Sequence, residues 1–209
     1  MKKLNAIIVR YLLISVVAAL LIACGGGGSD GGNDPGIIPE TVLTGVLTDA
    51  VVAGVSYSTA TQSGITNPSG QFSYKSGEMV TFFIGDTQLG PVAAGPVITP
   101  LTFAGTIDVT DQQVTNIVRL LMTLDADGNP DNGIQITEGT RIAATGALID
   151  FDVPVADFAS ELSVVALIAG ADTPNTSLVN VTDAQTHLTN TLASTWGLMD
   201  WGAGQWSAN

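Results

Sequence analysis

The stretch Val51-Val52-Ala53-Gly54-Val55-Ser56-Tyr57 decides the fold. Val51, Ala53, Val55 and Tyr57 alternate with neighbours on the opposite side of an extended chain, a period of two. Phe72 and Tyr74 repeat the pattern, and Val80, Phe82 and Ile84 make a third run. Turn chemistry separates the runs: Asp49-Ala50, Ser63-Gly64, Asn67-Pro68-Ser69-Gly70, Ser76-Gly77, Gly85-Asp86 and Gly90-Pro91. Short strands punctuated this closely predict a small antiparallel β-sandwich over 41–104.

After Pro100 the period lengthens. Thr110-Asp111-Gln112-Gln113 has the form of a capping box, and Val114, Ile117, Val118, Leu121 and Leu124 then fall on one helical face. A second stripe, Val155, Phe158, Leu162, Val165 and Ala169, begins near Pro154 and ends at Gly170. Thr182-Asp183-Ala184-Gln185 repeats the capping-box form, with Ala184, Leu188 and Leu192 on one face. Short amphipathic helices do not stand alone, so these should pack on each other or on the sandwich. The predicted class is therefore α+β: the sandwich, then about three short helices over 105–195, then a Trp- and Gly-rich tail over 196–209.

Gly45-Val46, Asp49, Val52-Ala53-Gly54-Val55, Tyr57, Gly64-Ile65-Thr66, Gly70, Phe72 and Tyr74 form an ordered set. That set resembles the carboxypeptidase regulatory-like, or transthyretin-like, β-sandwich modules of bacterial surface proteins. Gly77, Val80, Phe82, Ile84-Gly85 and Leu89-Gly90 continue it in a form similar to that of proteobacterial lipoproteins and adhesin-like proteins. The resemblance implies a noncatalytic structural or binding module and carries over no catalytic residue.

The N-terminus gives an address. Lys2, Lys3 and Arg10 precede an apolar run, Tyr11 to Ala23, that is short for a membrane-spanning helix of about 20 residues. It ends in Leu21-Ile22-Ala23-Cys24, and Cys24 is the only cysteine in the chain. This resembles the bacterial lipobox, which implies a signal peptide over 1–23 and lipid on Cys24. The alternative is an ordinary secretory signal cut after a small residue. Acyl chains contribute about 0.8 kcal/mol per buried CH₂, so they hold a protein without a transmembrane helix. Residues 24–40, rich in Gly, Asp and Asn, read as a tether. Gly25 follows the cysteine, and by resemblance to Gram-negative lipoproteins the absence of aspartate there favours the outer membrane.

Without residues 1–23, the bases are Lys75, Arg119 and Arg141 against nineteen acids, a net charge of −16. No basic face is available for phosphate, so nucleic acid is excluded as a partner. Anionic headgroups would be repelled too, which leaves attachment to the acyl anchor.

The acidic cluster Asp125-Ala126-Asp127-Gly128-Asn129-Pro130-Asp131 places oxygens at alternate positions, as a Ca²⁺ loop requires. Pro130 and Ile136 stand where an EF-hand has Gly and Glu, so the expectation is at most a weak calcium site on Asp125, Asp127, Asn129 and Asp131, or simply an acidic turn. No other cofactor is expected. His187 is the only histidine, which argues against a multi-histidine metal site and favours a packing role. Trp201 and Trp206 could stack on sugar rings or peptides, or pack in a core.

Together these readings predict a nonenzymatic lipoprotein of the outer membrane with a structural or interaction role, its partners being the membrane and an envelope protein or glycan. A glycan- or peptide-binding surface module is the alternative; an envelope enzyme using carboxylates ranks behind both.

Overall fold

The structure, a computed structural model, describes residues 41–196, with side chains to Ser194. Its class is α+β. Strand β1 (Val42–Leu47) pairs antiparallel with β5 (Gln71–Lys75) and parallel with β8 (Val97–Ile98). A four-stranded antiparallel sheet runs β4 (Ser63–Ile65), β3 (Ser56–Ser58), β6 (Met79–Ile84), β7 (Thr87–Ala93). A third, two-stranded sheet joins β2 (Val52–Ala53) in parallel to β9 (Ile134–Gln135), which comes from beyond the first helices.

The aromatic residues of the alternating runs make the contact between the two larger sheets. Phe72 of β5 meets Phe82 of β6 edge-on at 5.1 Å and Tyr57 of β3 at 5.8 Å. Val80, Phe82, Ile84 and Phe72 are buried as the period of two predicts. Such edge-to-face pairs add roughly 1 kcal/mol each beyond the area they bury. The first run follows the prediction at Ala53, Val55 and Tyr57, which are buried. It departs from it at Val51, which is exposed beside buried Val52 where a bridge to Thr48 closes the turn from β1. The chain then bends at Gly54, which divides the run into β2 and β3. Gly54 has φ +80°, and a Cβ there would collide with the Ile136 carbonyl oxygen, so glycine is what lets β9 and its continuation lie alongside.

Six α-helical segments follow among the described residues, with a 3₁₀ turn at Pro130–Asn132: α1 (Pro100–Ala104), α2 (Gln112–Thr123), α3 (Glu138–Ala143), α4 (Val155–Phe158), α5 (Leu162–Gly170) and α6 (Val181–Trp196). The predicted start of α2 at Thr110 is one residue early: Asp111 is the N-cap, its carboxylate accepting from the Gln113 and Val114 amides. The last helix begins at Val181, one residue before the predicted Thr182 cap, and the Asn180 side chain accepts from the Asp183 amide. The predicted helix from Pro154 to Gly170 is broken at 159–161, which separates α4 from α5 and changes the phase. Phe158 stays buried, but Leu162 and Val165 turn outward and Val164, Leu167 and Ile168 face the core instead.

Helix α2 is the axis of the helical part, and it is buried all round rather than on one face. Every residue from Val114 to Thr123 is buried. Its polar side chains hold irregular chain instead of water. Asn116 donates to the Phe151 and Val153 carbonyls, and the Arg119 guanidinium donates to the carbonyls of Val155 and Val179. Thr123 accepts from the Val179 amide, and Thr173 and Asn175 donate to the Thr123 carbonyl at the C-terminal end of α2. The strands and helices share one apolar core, with Leu47, Val80 and Ile98 in the same cluster as Ile117, Leu121 and Leu188. No helix among the described residues is long and apolar enough to cross a membrane.

Candidate functional site

The tight turn Thr48-Asp49-Ala50-Val51 joins β1 to β2 and is closed by a bridge between Thr48 and Val51. Ala50 adopts φ +53°, a left-handed conformation that costs an L-residue roughly 1–2 kcal/mol. Backbone strain of this kind gathers at sites that need a particular side-chain direction. Here the turn leaves Asp49 fully buried, with neither carboxylate oxygen hydrogen-bonded. The group it faces is His187 of α6, whose Nε2 lies 3.6 Å from Asp49 Oδ1. Burial pushes the Asp49 carboxyl up to about 8. At neutral pH Asp49 therefore retains a proton that a free aspartate would release.

His187 also lines an open cavity of about 380 Å³. Three parts of the chain build the walls. Thr48, Ala50 and Val51 come from the β1–β2 turn, Pro130 and Asp131 from the acidic loop, and Asn190, Thr191 and Ser194 from successive turns of α6. The lining combines a carboxylate, an amide and hydroxyls with the apolar faces of Val51 and Pro130, and its volume lies in the range of small-molecule sites. Two of the hydroxyls are committed elsewhere. Thr48 donates to the Ala50 carbonyl at 2.8 Å and Ser194 to the Thr191 carbonyl at 2.9 Å. The arrangement presents groups that hold a ligand more plainly than groups that attack one.

The structure divides the expected calcium ligands. Asp125 and Asp127 come together: Asp125 is raised by burial and by the neighbouring Asp127 carboxylate, while Asp127 is lowered by hydrogen bonds from the Asn132 side chain and the Asn129 amide. Asp125 is buried, with Oδ1 accepting from the Gln135 amide and Oδ2 unpartnered. Asn129 contributes its backbone to Asp127, and Asp131 belongs to the cavity wall beside His187. Among the described residues, no three His, Cys, Asp or Glu side chains converge as a metal site requires. The orphaned Asp125 oxygen next to Asp127 would suit a weak, largely hydrated Ca²⁺, with a Kd on the order of 10⁻⁴–10⁻³ M. On that reading the protein should melt higher in millimolar Ca²⁺ than in Mg²⁺ at equal ionic strength, and Asp127→Ala should remove the difference. Equal melts in both ions would reduce the loop to a turn.

Cys24, Trp201 and Trp206 lie outside the described residues. Asp49, which the sequence marks as a turn residue and as one position of the module pattern, is the functional candidate that reading along the chain misses. No signal within the chain distinguishes it from an exposed turn aspartate, since its partner is supplied by the last helix.

No family model, curated protein or solved structure matches this chain.

Proposed function

We propose that the protein is an outer-membrane-anchored lipoprotein with a noncatalytic binding role at the cell envelope, and that the cavity over His187 is where it binds. The anchor rests on the basic N-terminus, the short apolar run and Cys24. The resemblance to transthyretin-like surface modules points the same way. The observation that carries the binding role is the cavity itself, assembled from three separate parts of the chain over a buried Asp49–His187 pair. Its mixed lining suits a neutral ligand rich in hydroxyl or amide groups, a glycan or a short peptide. The net charge of −16 after loss of the signal peptide disfavours an anionic one.

Two measurements test this reading. Metabolic labelling with a palmitate analogue should mark the wild type and not Cys24→Ala, which should leave the membrane fraction; equal labelling of both removes the anchor. Thermal melts of the mature protein against neutral saccharides and dipeptides should rise by several degrees for at least one class, and Asn190→Ala should abolish the rise. A melt unchanged by every probe removes the binding role.

A further inference from the structure

Helix α5 is apolar at every position except Ser163, yet it lies at the surface. Val164, Leu167 and Ile168 are buried, which leaves the other side of the helix exposed: Leu162 at 84 %, Val165 at 49 %, and Ala166 and Ala169. Helix α3 packs beside it, with Gly170 against Ala143, and adds Ile142 at 66 % exposure. A helix apolar on both sides is ordinarily covered on both, and an exposed patch of this kind on a protein marks a contact surface.

The chain before the folded body suggests what covers it. Sixteen residues separate Cys24 from Thr41, and fully extended they span at most about 55 Å. Acylation of Cys24 would therefore hold the start of the folded body within about that length of a bilayer. The charges around the face decide which bilayer. Asp157 and Glu161 flank its N-terminal end, Asp172 its C-terminal end, and Glu138 opens α3; all four are exposed. Arg141 of α3 turns inward to the Gly54 carbonyl. Such a rim repels anionic phosphate surfaces and suits headgroups that carry a primary ammonium.

We propose that the α5 face, with Ile142 of α3, rests on the bilayer surface and selects zwitterionic ethanolamine lipid over anionic lipid. The proposal depends on acylation of Cys24. Leu162 and Val165 enter the interface to shallow depth, and the acidic rim stays at headgroup level, as for a monotopic surface contact.

The test uses the full chain, acylated and reconstituted into vesicles of phosphatidylethanolamine and phosphatidylcholine containing lipid with a shallow doxyl quencher. Acylation consumes the thiol of Cys24, so Val165→Cys supplies a single site for a fluorophore, and Thr61→Cys in the β3–β4 loop supplies the control. The 165 label should lose most of its intensity and the 61 label little. Leu162→Asp should bring the 165 label toward the control while the melt stays the same, and replacing phosphatidylethanolamine with phosphatidylglycerol should also relieve the quenching. A chain that floats with the vesicles while its 165 label stays unquenched overturns this proposal alone. A chain that does not float overturns the anchor and this proposal with it. Self-quenching that grows with protein concentration, without doxyl quenching, assigns the face to a second copy and equally overturns it.

Discussion

Asp49→Asn is expected to stabilise the protein, by an amount that depends on pH. Asp49 is fully buried, accepts no hydrogen bond, and has a carboxyl pushed up to about 8 against an ordinary value of 3.8. Between those two values the folded state keeps the proton and the unfolded state gives it up. Stability is thus fully present below about pH 4 and is lost as pH rises, by about 1.4 kcal/mol per unit, until the loss is complete near pH 8. The asparagine keeps the shape, removes the ionisation, and can donate to His187 Nε2. The variant should match the wild type near pH 4 and exceed it by about 4 kcal/mol at pH 7. Urea unfolding across that range checks the claim. A constant difference between the two proteins would mean that Asp49 does not titrate on folding.

The second large effect is a loss. Arg119 is 6 % exposed, and its guanidinium donates at 2.8 Å to the Val179 carbonyl and at 3.0 Å to that of Val155. Those two bonds tie the approach to α6 and the start of α4 onto α2. Arg119→Ala leaves both carbonyls facing inward without that donor, at roughly 1–3 kcal/mol each, and removes the packing of the side-chain stem. A destabilisation of about 4 kcal/mol is expected in denaturant titrations. Arg119→Lys should recover little of it, because an ammonium on a flexible stem does not reproduce the planar fork that reaches both carbonyls. Full rescue by lysine would show that charge, not geometry, holds the two segments.

The difference between what is legible in the chain and what is not follows from the range of the interactions. Phe72, Tyr74, Val80, Phe82 and Ile84 alternate because one face of each strand meets the core, and that pattern needs no knowledge of the partner. Ala184 and Leu188 are readable for the same reason on α6. Asn116, Arg119 and Thr123 lie off the apolar face that the spacing of α2 defines, and nothing along the chain signals that irregular segments return to cover them. The break between α4 and α5 is hidden because Leu162 and Val165 continue the spacing set by Val155 and Phe158 in a helix that does not continue. Capping at α2 is off by one because Thr110 and Asp111 are both good cap residues, and only the geometry of the Asp111 carboxylate distinguishes them. The cavity is the least legible feature. Asp49 reads as a turn, Asp131 as part of a calcium loop and His187 as helix packing, and only the fold brings them to one place.

That convergence makes the cavity over His187 the centre of the functional reading, and the single histidine offers a direct view of it. In a mature chain carrying labelled histidine, one imidazole cross-peak reports the cavity wall. Titration with neutral saccharides and short peptides, followed by NMR at constant pH, should move that peak saturably for one of the two classes, and Asn190→Ala should remove the movement. An imidazole peak that stays in place throughout, in a protein that remains folded, would contradict the assignment of this cavity as the binding site.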